Sequence, residues 1–178
     1  MIVTLITGSP HEKGTTSHMA QAFTKGVLDS GHEVRTFNAA RLDIHDCCGC
    51  GSCEKGLPCP FKDDMGQILS SMLSSDAVVF ASPVYFYNIS GYLKKTVDRF
   101  LEKMEDLRGG KKTALMLTMG DDCLESARSG MTWMHYLSKF MKWDSRGVIA
   151  AINAYTVEDL QKTDALKRAY DLGRTLFS

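Results

Sequence analysis

The chain has 178 residues, 44% of them hydrophobic and 24% charged, which is enough to bury a core of ordinary size. Lys plus Arg and Asp plus Glu balance at 21 each, removing the charge excess expected of a nucleic-acid or anionic-membrane binder. No basic run leads into an apolar leader, and no apolar stretch approaches the length that spans a bilayer, about 20 residues. One cytoplasmic domain over 1–178 is expected, with a cysteine-rich loop at 46–62.

"IVTLITG" (2–8) is a short, β-branched and nearly all apolar run, the pattern of a strand buried on both faces. A Gly/Ser/Pro loop follows, then a helical segment with Met19, Phe23 and Val27 on one face and Gly31 placed to end it. "EVRTFNA" (33–39) reads as a second strand, and a helix is expected from Asp64 to Ser74. "AVVFASP" (77–83) is a third strand, and Leu93, Val97, Phe100/Leu101 and Met104 make the stripe of one long helix after it. Residues 112–120 and 146–155 give strands four and five, with a helix marked by Met134, Leu137 and Met141 between them. Thr156 and Asp159 form a capping box for a closing helix carrying Leu166, Ala169/Tyr170 and Leu176.

Five strands each followed by a helix predict an α/β protein with an open, parallel, doubly wound sheet in the flavodoxin-like order 2-1-3-4-5. Ligands of such sheets bind outside the carboxyl ends of the strands. The loop after strand one, "GSPHEKGTTS" (8–17), combines free backbone N–H groups, hydroxyls and a helix N-terminus, which suits a phosphate; a plain polar turn with an N-cap is the alternative. It is neither a Walker-type P-loop nor G-x-G-x-x-G. After strand three, Tyr85, Phe86 and Tyr87 either flank a planar ring or serve an apolar interface. "TMGDD" (118–122) ends strand four within reach of the same ligand, so a mononucleotide with a flat ring, FMN, is indicated.

Five of the six cysteines lie in "CCGCGSCEKGLPCP" (47–60). Cys47, Cys50, Cys53 and Cys59 are spaced by two, two and five residues, and Pro60 follows. This is similar to a ferredoxin-type cluster segment, and Gly49, Gly51 and Gly56 would relieve strain around a cubane. Structural zinc more often separates two C-x2-C halves, and disulfides need an oxidising compartment; both stay open, as does a metal-free loop capping the ligand or a partner subunit. Cys48 and Cys123 fall outside the spacing.

"GSPHEKGTTS", "SPVYFYNISGYLKKTVDR" and the cysteine run followed by "KDDM" together resemble the flavodoxin-like NAD(P)H-dependent FMN reductase superfamily, and within it the iron–sulfur flavoproteins. The resemblance implies noncovalent FMN, with Ser9, Thr15, Thr16 and Ser17 at its phosphate. Pro83, Val84, Tyr85, Phe86 and Asn88 would meet the isoalloxazine, and Thr118, Met119, Gly120 and Asp121 would approach from the other side. It implies a [4Fe-4S] cluster on Cys47, Cys50, Cys53 and Cys59, NAD(P)H as donor, and a homodimer or homotetramer. His11 and Thr15 stand where relatives often carry Arg and Asn, and Asp121-Asp122 replaces a Gly-rich loop. The function implied is FMN-dependent electron transfer to a small acceptor such as a quinone or flavin, with a ferredoxin-like donor if a cluster is present and no catalytic side chain assigned. A non-enzymatic electron carrier and a zinc-stabilised interaction domain are the rivals; carriers of the first kind tend to be acidic, and this chain is neutral.

Overall fold

The computed structural model describes residues 1–178. In chain order it contains β1 (Ile2–Thr7), α1 (Thr15–Asp29), β2 (Glu33–Asn38), α2 (Met65–Leu73), β3 (Ala77–Tyr85), β4 (Asn88–Ile89) and α3 (Gly91–Asp98). Then follow α4 (Met104–Leu107), β5 (Lys112–Thr118), α5 (Arg128–Met141), β6 (Asp144–Ala151), α6 (Val157–Gln161) and α7 (Ala165–Thr175). The parallel strands run β2-β1-β3-β5-β6, and β4 folds back antiparallel on β3. Counting parallel strands alone, this is the 2-1-3-4-5 order expected. No helix is long and apolar enough to cross a membrane.

Each face of the sheet buries its own core. Alternate side chains of β1 point opposite ways: Val3 and Leu5 pack with Met19, Phe23 and Val27 of α1, while Ile6 packs with Phe80, Leu115 and the helices α2, α3 and α5. Phe80 anchors the second core, its ring 5.8 Å from Trp133 and 6.3 Å from Phe100. On the first face α1 and α7 cross closely. A Cβ on Gly26 would strike the Tyr170 carbonyl oxygen, and one on Gly173 the Phe23 carbonyl oxygen, so the crossing needs glycine at both positions.

Besides strand five, which ends at Ala151, three elements differ from expectation. The helix expected after β3 is broken into α3, a 3-10 segment at Arg99–Lys103, and α4. The closing helix is likewise two, α6 and α7, because the Thr163 hydroxyl donates to the Leu160 carbonyl and accepts from the Ala165 N–H, turning the chain between them. The Thr156–Asp159 capping box does form at the start of α6. Finally, β3 runs on to Tyr85 and pairs Tyr85 with Asn88 and Val84 with Ile89. The two-residue link, Phe86 and Tyr87, has φ of +45° and +65°, the sign a type I′ hairpin requires at both positions. Bulky side chains disfavour that region by about 1–2 kcal/mol each, and Phe86 is 100% exposed, so nothing in the core compels the strain.

Candidate functional site: a cleft at the carboxyl edge and a cysteine cavity beside it

The loops after β1, β3, β5 and β6 enclose a cleft of about 540 Å³, within the range of small-molecule sites. Its floor is the first turn of α1. Gly14 is the N-cap and offers no side chain to the helix, and no acidic residue stands in the first turn. The leading N–H groups of α1 therefore keep their donors and the positive end of the helix dipole for a bound anion. Loop 8–14 is fixed by the His11 N–H donating to Ser9 Oγ (3.2 Å) and the Gly14 N–H to the His11 carbonyl (3.1 Å). Thr16 and Thr118, both buried, join hydroxyl to hydroxyl at 2.7 Å and lock the α1 end to the β5 end. A single hydrogen bond uses one of the two hydroxyl protons, leaving the other to donate elsewhere.

Ser90 couples the phosphate-type loop to the hairpin. Its N–H donates to Ser82 Oγ (2.9 Å), its hydroxyl donates to the Gly8 carbonyl (2.6 Å), and the same hydroxyl accepts the Leu93 N–H (3.2 Å) as the N-cap of α3. A Cβ on Gly8 would sit 2.5 Å from that hydroxyl oxygen, so the close approach needs glycine. On the opposite side the Met119 N–H donates to Ala151, Ala154 to Met119 and Asn153 to Asp121, which carries the chain after β6 across the cleft.

Of the residues singled out in the sequence, Ser9, Thr15, Thr16, Pro83, Val84, Tyr85, Thr118, Met119 and Gly120 line this cleft together. Four stand off it. Ser17 donates to the His11 carbonyl (3.0 Å) and faces the groove between α1 and β2. Phe86 projects from the hairpin tip, and Asn88 spends its Oδ1 on the Ile89 N–H (2.8 Å). Asp121 turns away to accept from the Ser126 hydroxyl and the Cys123 N–H. Those contacts, the hydroxyl first, hold its carboxyl below the usual carboxylate range. The structure adds His11, Gly14, Ala154 and Tyr155 to the lining. Tyr155 and Tyr85 border the cleft from different loops, giving it two exposed aromatic walls. Tyr155 escaped the sequence because strand five was expected to run to 155; Asn153, at φ +49°, is the signal that it ends earlier.

The cysteines ring a second, smaller cavity of about 60 Å³. Cys47, Cys48, Cys50, Cys53 and Cys59 all border it, with Phe61, Arg99 and Glu102. All six cysteines of the chain are free thiols. No group of three or more His, Cys, Asp or Glu side chains closes to single-ion geometry anywhere in the structure. Gly49, Gly51 and Gly56 take φ of +65°, +69° and +72°, conformations that let the loop curl around the cavity. Cys50 shares a hydrogen bond with the Ser52 hydroxyl (3.4 Å), and that side chain together with the Ser52 N–H holds its thiol below the ordinary range.

The base of this loop is closed by Asp63 and Arg99. Arg99 Nη1 donates to Asp63 Oδ2 (2.7 Å) and to the His45 carbonyl (3.1 Å), Nη2 donates to Asp63 Oδ1 (3.3 Å), and Asp63 also accepts the N–H groups of His45 and Met65. Burial alone would raise the Asp63 carboxyl, but these hydrogen bonds and the guanidinium charge outweigh it and bring it down to about 2.

A doubly wound sheet with a hydroxyl-rich, uncapped helix start and aromatic walls at its carboxyl edge is the arrangement on which α/β proteins of the flavodoxin-like class carry their ligand sites. More specifically, residues 1–153 match the family model of NADPH-dependent FMN reductases, and the chain belongs to that family. Over 96 residues it is 38% identical to an iron-sulfur flavoprotein of Archaeoglobus fulgidus, covering 54% of this chain and 44% of that protein. An iron-sulfur flavoprotein of Methanocaldococcus jannaschii is 33% identical over 94 residues, 53% of this chain and 49% of the relative. The matched region thus spans about half the length of these curated relatives. The NAD(P)H:quinone oxidoreductase from Methanothermobacter marburgensis shares the fold with a TM-score of 0.74 at 20% identity, covering 100% of this chain and 96% of that one.

Proposed function

We propose that the chain binds FMN in the carboxyl-edge cleft and works as an oxidoreductase that passes electrons from NAD(P)H to a small acceptor such as a quinone or free flavin. The observation that carries this is the convergence, in one cleft, of the uncapped α1 N-terminus with Ser9, Thr15 and Thr16 and of the strand-end residues 83–85 and 118–120. The phosphate is assigned to the α1 start, with Ser17 contributing its backbone N–H, since its hydroxyl is committed to His11. The flat ring is assigned to the space between Pro83–Tyr85 and Thr118–Gly120, with Tyr155 as a further wall. Phe86, Asn88 and Asp121 act at one remove, by shaping the hairpin and the β5 loop. Bound FMN would supply the hydride and electron chemistry; the protein binds, orients and shields it.

The cysteine loop fits a [4Fe-4S] cluster on Cys47, Cys50, Cys53 and Cys59. The four cysteines border one cavity, and the glycine conformations give the loop its curvature. Names of relatives agree: several are iron-sulfur flavoproteins. A cluster there would supply single-electron transfer from a ferredoxin-like donor. We place the protein in the cytoplasm, as one domain that assembles into a homodimer or homotetramer.

Anaerobic purification with an absorption spectrum, iron, sulfide and zinc assays, and an NADPH-consumption assay with a quinone acceptor tests these assignments. A flavin spectrum with turnover is expected. Flavin without turnover would favour an electron carrier, and a colourless protein holding zinc would overturn the flavin assignment.

A further inference from the structure

Arg99 does more than close the cysteine loop. Its side chain is 3% exposed, and its Nε–H is the one buried side-chain polar group in the structure without a hydrogen-bond partner. Buried donors are rarely left unmade, and each orphan calls for an acceptor. Of the other guanidinium donors, Nη1 goes to Asp63 and the His45 carbonyl, and Nη2 goes to Asp63, with Glu102 Oε2 3.8 Å away. The group cannot swing to find another partner. It is held by Asp63 on one edge and lies over the Phe61 ring, 5.3 Å from its centroid, and Phe61 in turn stacks on His45 at 4.9 Å.

The cavity that Arg99 borders is the one ringed by the cysteines. Among its lining residues Glu54, Asp98 and Glu102 are acidic, and Arg99 is the sole cation. Thiolates gathered there would add to an already negative wall.

We propose that Arg99 is the positioning cation of the cysteine cavity, its buried Nε–H donating to anionic sulfur there, either the Cys59 thiolate or a sulfide held with it. This rests on the cysteines holding a cluster. The guanidinium then sets two things at once: the closure of the loop and the electrostatic balance of the group inside it. Outer partners of this kind govern retention and potential of a metal group, and their loss costs about 10–100-fold in affinity. A cation beside the group favours its more negative, reduced form.

The test is anaerobic reconstitution of the full chain with ferrous iron and sulfide, followed by iron counting, chelator challenge and redox titration. Arg99→Lys keeps the charge and removes Nε; iron is expected to leave to a chelator at least about tenfold faster than from the wild type. The double variant Asp63→Asn/Arg99→Gln removes the ion pair as a unit, so no buried charge is stranded. It is expected to load iron and to show a midpoint potential shifted negative, whereas Asp63→Asn alone, which keeps the guanidinium and removes the carboxylate that offsets it, shifts the potential positive. Circular dichroism melts identify which variants fold. Folded Arg99 variants with wild-type iron retention and potential would overturn the proposal and leave the cluster standing. A wild-type chain that takes up no iron would overturn both.

Discussion

Arg99 and Asp63 meet in a two-pronged ion pair, 2.7 and 3.3 Å, with side chains 3% and 1% exposed, at the point where the cysteine loop leaves and rejoins the fold. Removing one partner strands the other. Asp63→Asn is therefore expected to destabilise the fold by about 3–5 kcal/mol, read from the urea midpoint at neutral pH. A loss under 1 kcal/mol would mean that the pair is solvated and that the loop is not anchored here.

The same carboxylate makes a pH prediction. Its folded value is about 2 against an ordinary 3.8, so the native state holds fewer protons than the unfolded chain between those values. The stabilisation is complete above the unfolded value and is lost as pH falls through 2. The gap corresponds to about 2 kcal/mol. Wild-type stability should fall by that much between pH 5 and 2 relative to Asp63→Asn, which lacks the titrating group; parallel curves would refute the assignment.

Two glycine-to-alanine changes should move stability in opposite directions. Gly26→Ala drives a methyl into the Tyr170 carbonyl across the α1–α7 crossing and should cost about 3 kcal/mol or more. Gly66 is exposed in α2 with nothing near its would-be Cβ, and Gly66→Ala should stabilise by about 0.5–1 kcal/mol through helix propensity and unfolded-state entropy. Thermal melts of the two variants provide the comparison.

The hairpin tip offers a trade between stability and function. Replacing Phe86-Tyr87 with Asn-Gly, the pair a type I′ link prefers, should raise stability by about 1–2 kcal/mol. If the aromatics serve the neighbouring cleft, NADPH-driven turnover should drop at the same time. Strain retained against a cheap local remedy is a mark of function.

Ser90 reports on the coupling between loops. Ser90→Ala removes the α3 cap and the tie to Gly8, and should cost about 1–2 kcal/mol of stability. FMN fluorescence titration should show weaker binding, because loop 8–14 loses its fastening to the hairpin. Unchanged affinity would show that the α1 start is held by its own turn alone.

The sheet was legible because its strands are short, β-branched and buried on both faces, a pattern visible in "IVTLIT" and "AVVFASP". The α1 start was legible because Gly14 and the hydroxyls after it carry their chemistry locally. The hairpin was not, since Phe-Tyr gives no turn signal and its conformation is set by β3 pairing with β4. Nor was the Arg99–Asp63 pair: the residues lie 36 apart, and "DR" and "KDDM" look like ordinary surface charge until the fold buries them together. Tyr155 entered the cleft only through a ladder with the β5 loop, a tertiary contact that no periodicity encodes.

The His45 N–H reaches the Asp63 carboxylate across 18 residues of chain, and the neighbouring Asp43 and Asp64 exchange hydrogen bonds as well: the Asp43 N–H donates to Asp64 Oδ2 and the Asp64 N–H to the Asp43 carbonyl. The segment between them therefore starts and finishes at nearly one place, and its ends are pinned independently of its contents. It is a cassette. Its length and cysteine content can drift, or be replaced by a short bridge, without altering the spacing of β2 and α2, because closing a shorter loop between fixed ends costs little. The cysteine loop can thus be gained, lost or exchanged on this scaffold while the cleft on the other loops keeps its shape.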